Sequence, residues 1–336
     1  MDFKKVVKTS SFLDPMQGFQ AIERLSEVRY DPLTGHTMRI LDFPIKELER
    51  ADLKALIEKS KTICPFCPEF VELVTPKFHA ELLRERYARG ESLCVPNAFP
   101  YDENAAVTVM ARTHFLSLTD FTSEILGNAV LCCMEYLTDL MKIQPDAVYQ
   151  SVNWNYMPLA GGSIIHPHLQ VTASTTPTNY YTDMVVMLNK YHHEHNSYFW
   201  IDLIEKEQEL GERFIARTGR IAWLIAFAPM GVFDVIGVMD GVYKPSEMQG
   251  TVIDDLAGGI LKVLKYIDFL NMHSLNMSLY FLENNALFTP HVRICPRVSI
   301  PPFGTSQINY MRMLHNEPMT TLKPEDVCNS IKPLWE

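Results

Sequence analysis

The chain carries the same succession of elements twice, and nothing else in it constrains the fold as strongly. A strand pattern, AAVTVMART, is followed by a helix pattern over about Asp120–Lys142, a strand AVYQSVNWN and a last strand SIIHPHLQVTA. The succession returns as FDVIGVM, a helix over about Ser246–Asn271, LNMSLYFLEN and LFTPHVRICPR. Apolar residues recur at three and four along both helices, and they alternate or run together in the strands. One helix per group of short strands predicts an α+β fold of duplicated units, with mainly antiparallel sheets flanked by helices. Read residue by residue, His166-Pro167-His168-Leu169-Gln170 superposes on His291-Val292-Arg293-Ile294-Cys295. On that match the second copy keeps the first histidine and replaces the other two polar positions. The length of 336 residues predicts two domains, 1–185 and 186–336.

Composition removes several function classes. The formal net charge is -10, so nucleic acid is excluded as the main partner, because phosphate backbones need a basic surface. The first twenty residues hold no apolar run of signal-peptide length. The most membrane-like segment, residues 221–239, is interrupted by Pro229, Gly231 and Asp234. Two core strands joined by a turn are predicted there, not a membrane span. A cytoplasmic protein with no membrane partner is expected. Seven scattered cysteines do not form a disulfide framework. Cys132 and Cys133 lie in an apolar helix and are expected in the core.

Cys64-Pro65-Phe66-Cys67 is different. A CxxC spacing lets two thiolates reach one tetrahedral zinc ion. Two further ligands are needed, and His114 and His166 are the candidates, since each falls on or after a predicted strand. The same residues also read as two buried thiols and a satisfied core histidine.

The segment GGSIIHPHLQ poses the other chemical question. Alternate residues of a strand share a face, so His166, His168 and Gln170 are predicted side by side. Pro167 cannot donate to a ladder, so an edge or strand-start position is expected. Gly161 and Gly162 allow a tight turn that brings backbone N–H groups near an anion, and Ser163 adds a hydroxyl. A neutral imidazole is a competent nucleophile at neutral pH, and phosphorus is a natural electrophile for it. In this reading His168 attacks an α-phosphate while Gln170 and Ser163 hold phosphate oxygens. A surface strand that happens to contain two histidines is the plainer alternative.

Several segments together resemble galactose-1-phosphate uridylyltransferase, a branch of the histidine-triad superfamily. They are RYDPLTG (29–35), CPFC, VPNAFP (95–100), His114, NYMPLAGGSIIHPHLQ (155–170) and PMTTLKPE (318–325). The resemblance implies two histidine-triad-like halves, the second with a degenerate site. It implies a structural zinc ion on Cys64, Cys67, His114 and His166. His168 becomes the nucleophile that carries a nucleoside monophosphate, with Gln170 and Ser163 as phosphate partners. Arg29, Asn97 and Asn155, with Gly161 and Gly162, are implied in nucleotide binding. The implied activity is ping-pong transfer of a nucleoside monophosphate, UMP by family analogy, from a nucleotide sugar to a sugar phosphate or related acceptor, in a homodimer.

The departures from the family pattern concern the acceptor. Leu169 stands where the family commonly has glycine. Met319 stands where it has a sugar-contacting glutamine, and Met311 or Met313 where it has an acid. A hexose hydroxyl left without a polar partner costs roughly 1–3 kcal/mol, so a different acceptor is expected. Arg293 replaces the second histidine of a pair that in many members holds a further metal. Two alternatives share the chemistry or the scaffold. A histidine-triad hydrolase or phosphorylase would give the monophosphate to water or phosphate; hydrolases carry histidine at the position of Gln170, which cannot shuttle a proton. A zinc-stapled nucleotide-binding protein with a dead site is the third. The tract His192-His193-Glu194-His195 is expected to be solvated, beyond the end of a helix. His291 is expected as a core residue or relic, and His36, His79, His273 and His315 lack companions.

Overall fold

The computed structural model describes residues 1–43, 48–302 and 304–336. A long N-terminal hairpin, β1 (Lys5–Asp14) and β2 (Gln20–Tyr30), continues into β3 (Thr37–Leu41), which pairs in parallel with the short strand Met319–Thr320. The main body is built on β4 (Tyr87–Arg89), β5 (Ser92–Pro96), β6 (Asn104–Val109), β7 (Tyr149–Tyr156) and β8 (His168–Ser174), and on a second set, β9 (Phe214–Thr218), β10 (Ile221–Ile225), β11 (Val235–Met239), β12 (Leu275–Leu282) and β13 (His291–Pro296). These form one ten-stranded sheet in the order β4-β5-β6-β8-β7-β12-β13-β11-β10-β9, antiparallel at every pairing.

That order is a palindrome, as the duplication requires. Each half is a hairpin, a third strand, a long helix and two closing strands. The sequence reading missed β4, β5 and β9, and so the hairpins that open each unit; β10 was expected, but without its partner. The helices, Ser123–Ile143 and Thr251–Phe269, pack against each other and on one face of the sheet. Thr122 caps the first by accepting the N–H of Ile125. The second begins at Thr251, later than expected, because Pro245–Glu247 forms a separate turn of 3-10 helix before it. Alternation along the strands sends Val152, Trp154, Leu169, Val171, Met277, Leu279, Val292 and Ile294 into the core under these helices. Trp223 is fully buried there, and the helix approaches it at Gly259, where any Cβ would overlap the indole.

The halves meet at β7 and β12, where Asn153 pairs with Ser278. On the other strand of each half, Asn153 pairs with Gln170 and Ser278 with Arg293. The row Gln170–Asn153–Ser278–Arg293 is therefore symmetric about a pseudo-two-fold axis between Asn153 and Ser278. The outer strands agree: Val109 pairs with His168 and Val238 with His291. Met110 N–H donates to the Pro167 carbonyl at 2.9 Å, and Met239 N–H to that of Pro290 at 3.0 Å. The counterpart of His168 is thus His291, that of Gln170 is Arg293, and that of His166 is Thr289. The expected match of His166 with His291 was two residues out of register.

The face opposite the long helices is covered differently in each half. The CPFC segment covers the first, in a cluster of Cys64, Phe66, Cys67, Val95, Val107 and Val109. Helices Asn179–His195 and Phe199–Leu210 cover the second. The expected division at 185/186 falls inside the former helix. The histidine tract forms the last turn of that helix and does not lie beyond it; His192 bonds the Ser197 carbonyl. Residues 221–239 supply the central strands β10 and β11, as expected. Among the described residues, no helix is long and apolar enough to cross a membrane.

The hairpin end and the C-terminal segment are fastened by buried charge. Arg29, 1% exposed, donates twice to Glu325, at 2.8 and 2.9 Å, and once to the Phe227 carbonyl. Arg213 donates to the same carboxylate at 2.7 Å and to Glu207 at 2.9 Å. Burial alone would raise the Glu325 carboxyl, but Arg29 and then Arg213 hold it down at about 2. A carboxyl lowered from 4.5 stabilises the fold above its unfolded value and loses that contribution as pH falls towards 2. Glu325→Gln should therefore cost about 3 kcal/mol near neutral pH, since it strips two buried guanidiniums of their shared acceptor. Urea unfolding of both proteins should show the gap closing between pH 4.5 and 2.

Candidate functional site

The CPFC knuckle follows helix Lys54–Lys61, and both its thiols are buried. His114 comes from the loop after β6, and His166 from a bend two residues before β8. One ligand atom from each of Cys64, Cys67, His114 and His166 lies within 4.8 Å of all the others. Cys64 Sγ is 3.5 Å from His166 Nδ1, and Cys67 Sγ is 3.4 Å from His114 Nδ1 and 3.8 Å from His166 Nδ1. For bonds of about 2.3 Å to sulfur and 2.0–2.1 Å to nitrogen, a tetrahedral zinc site puts sulfur and nitrogen about 3.5 Å apart. The four residues fit such an ion. The expectation that they converge is met, and the buried Cys2His2 cluster could bind a metal.

The outer nitrogens are also engaged. His166 Nε2 lies 2.7 Å from the Ala111 carbonyl, which can only accept, so this nitrogen carries the proton and Nδ1 turns its lone pair to the thiols. His114 Nε2 lies 3.0 Å from Ser60 Oγ, which in turn donates to the Ile57 carbonyl. Such partners orient a ligating imidazole and raise its basicity. Neither Ser60 nor Ala111 had a signal in the sequence. Ser60→Ala should lower metal affinity about 10-fold or more while the fold survives; competition with a chromogenic chelator measures it.

His168 opens β8, and its expected strand-start proline is observed at Pro167. The strand is not an edge: β6 and β7 flank it. It also begins later than the expected Ser163, so His166 is placed by a bend and not by strand alternation. Alternation does put His168 and Gln170 on one face. His168 is 6% exposed. Its Nδ1 donates to the His166 carbonyl at 2.8 Å, leaving Nε2 with the free lone pair. Burial lowers the pKa of its ring, which keeps the imidazole neutral. Phe66 packs beside both histidines, its ring 5.3 Å from that of His168 and 6.2 Å from that of His166. The x-positions of CxxC thus contribute to the site, a role unread from the motif.

The remaining expected residues divide. Gly162 packs on β7 so closely that a Cβ would meet the Asn155 carbonyl at 2.7 Å, and Gly161 closes the turn with φ 92°. These glycines fold the loop back against Asn155. Asn155 Oδ1 accepts from Asn276 Nδ2 at 2.7 Å, so this amide is tied to the second half. Ser163 is exposed, five residues before His168. Asn97 follows β5, two strands from β8, and its Oδ1 accepts the Phe99 N–H. Arg29 does not join this group; its guanidinium is enclosed with Glu325.

Fold and site together define a duplicated α+β protein with a buried Cys2His2 cluster beside the neutral imidazole of His168. Comparison with known proteins places that architecture. A GalT-like protein from Arabidopsis thaliana matches at TM-score 0.70 and 16% identity, over 91% of this chain and 98% of its own. An ADP-glucose phosphorylase from Arabidopsis thaliana, solved with ADP-glucose, matches to the same extent. A uridylyltransferase matches at TM-score 0.66 and 19% identity, over 91% and 97%. The chain has the fold of these galactose-1-phosphate uridylyltransferase-like proteins, the resemblance expected above. In sequence, an uncharacterized protein of Archaeoglobus fulgidus is 28% identical over 100% of this chain and 99% of its own length. No family model matches the chain.

Proposed function

We propose that this protein is a nucleotidyltransferase that moves a nucleoside monophosphate from a nucleotide sugar to a phosphorylated acceptor through nucleotidyl-His168. The observation that carries this reading is the Nδ1 bond of His168 to the His166 carbonyl, which fixes the tautomer and presents Nε2 as the nucleophile. The Nε2 lone pair forms a bond to the α-phosphorus, and the bond from phosphorus to the bridging oxygen breaks, releasing a sugar phosphate. An anionic oxygen of the acceptor then attacks phosphorus, the P–N bond breaks and the imidazole is restored. Both oxygens leave and attack as anions, so no side chain has to shuttle a proton, which suits a glutamine at position 170. Gln170 and Ser163 hold phosphate oxygens, and Asn155, Asn97 and the Gly161–Gly162 turn serve the nucleotide. Zinc on Cys64, Cys67, His114 and His166 is structural: it fixes the bend from which His168 enters its strand.

Phosphorolysis is a second reading with a specific support, the match to an ADP-glucose phosphorylase. Here inorganic phosphate is the acceptor and a nucleoside diphosphate is released. Incubation with UDP- and ADP-sugars labelled in the α-phosphate tests both. A covalent, acid-labile adduct is expected, discharged by a sugar phosphate in the first reading and by inorganic phosphate in the second. Turnover without any adduct would sink both.

A further inference from the structure

The second half repeats the geometry of the first with a different outcome. His291 stands at the position of His168, and its Nδ1 likewise donates to the carbonyl two residues back, Thr289, at 2.8 Å. Its Nε2, however, is capped by the Tyr180 hydroxyl at 2.6 Å, and the Trp200 ring packs against it, tilted by 37° with centroids 4.5 Å apart. This imidazole is fully buried and is closed to attack on phosphorus. At the position of Gln170 stands Arg293, paired with the buried Asp234 at 3.1 Å. The nucleophile is blocked, and the phosphate-facing neighbour has become a fixed cation.

This cation faces space. A cavity of about 210 Å³ is lined by Arg293, Arg297, Arg312, Asn276, Ser278 and Cys295. It adjoins a larger one of about 530 Å³, which shares Arg293 and Arg312 and adds Trp200, Phe227 and Leu33. Asp234 neutralises only one of the three guanidiniums. Arg297 donates to Asn276 Oδ1 at 3.1 Å, while its buried Nε has no hydrogen-bond partner among the described residues. Arg312 donates to the neutral Asn316 amide. Two cations facing a half-buried cavity without a carboxylate make a site for an anion. Three strand spacings, about 14 Å, separate Gln170 from Arg293, so a phosphorus on His168 does not reach it.

We propose that the second half is a non-covalent binding site for a phosphate monoester, gripped by Arg297 and Arg312 beside Arg293, with its organic body in the adjoining larger cavity, whose carboxylates Asp31 and Asp183 leave the anion to the smaller one. Met319 and Met313, the positions that the resemblance gives to acceptor contacts, line these two cavities, but binding here does not require the transfer reaction.

Cys295 provides a local reporter, because the other six cysteines are buried. Alkylation of Cys295 at alkaline pH, followed by mass spectrometry, should be slowed by inorganic phosphate in a saturable way. The same protection is expected in His168→Asn, which disables the first half. In Arg297→Gln/Arg312→Gln, half-protection should require about 10-fold more phosphate or more; Arg312→Gln alone, at a half-exposed position, serves if the double variant does not fold. Absence of protection in the parent protein would overturn the proposal. So would protection that disappears in His168→Asn but persists in the arginine variants.

Discussion

Replacing His168 by asparagine should abolish the covalent nucleotidyl adduct and lower turnover by at least about 10³-fold. Asparagine keeps an amide N–H that can still donate to the His166 carbonyl, so the strand start should survive. What it loses is the lone pair on Nε2. Three readouts separate this from a folding defect. Far-UV circular dichroism should be unchanged. The metal content should equal that of the parent protein, since the Cys2His2 donors are untouched. Noncovalent binding of the nucleotide sugar should remain within about 10-fold of the parent protein, since binding and chemistry use different groups. An undiminished adduct in this variant would remove His168 from the mechanism. Gln170→Ala, by contrast, should leave the adduct chemically possible and slow its formation by about 10²-fold, the usual cost of one transition-state hydrogen bond.

Cys64→Ser and Cys67→Ser should each release the metal and destabilise the first half, by about 5 kcal/mol or more. Small zinc-bound peptides draw roughly 10–16 kcal/mol from such a site, and part of that is returned here by the surrounding core. The reason is the composition of what covers the sheet. The cluster around the knuckle has few large apolar side chains, Phe66 with Val95, Val107 and Val109, so ligand bonds to a metal would hold this layer. Without them, two thiols and two imidazoles are left buried with poor partners. Metal analysis together with chelator-induced unfolding checks this. A protein that stays folded and active after complete metal removal would overturn the structural role. Because His166 supplies the carbonyl that holds His168 Nδ1, loss of the ion should also lower adduct formation before the fold is lost.

How much of this was legible in the residues differs from element to element. The long helices, the closing strands and the faces of β7 and β8 follow from periodicity, since alternation separates Val152 and Trp154 from Asn153 and Asn155. Strands β4, β5 and β9 do not, because strands as short as Tyr87–Arg89 carry too few residues for a period to show. The Cys2His2 cluster was approachable because a CxxC spacing is short and its chemistry narrow. Its supports were not: Ser60 is one serine near the end of a charged helix, and Ala111 acts through its backbone. Arg29 is a case that packing alone places. Its motif pointed to a nucleotide, whereas the fold encloses its guanidinium with Glu325, and that carboxylate belongs to the C-terminal motif of the same resemblance.

The two copies of the closing strand are the sharpest case. Matching histidine to histidine aligned His166 with His291, but the better signal was the proline. Pro167 and Pro290 each sit just before a strand, where a missing N–H costs nothing and the carbonyl still accepts from the strand before. TPHVR therefore answers to HPHLQ.

From its sequence alone this chain's duplication and its donor types were already determined, because these depend on local spacing and on what each side chain can do. Only the tertiary structure decided how the copies register about Asn153 and Ser278, which arginines are enclosed and which face a cavity, and that Tyr180 closes the second histidine. Those outcomes depend on contacts between residues a hundred or more positions apart, and strand periodicity specifies a face without specifying the neighbour across it.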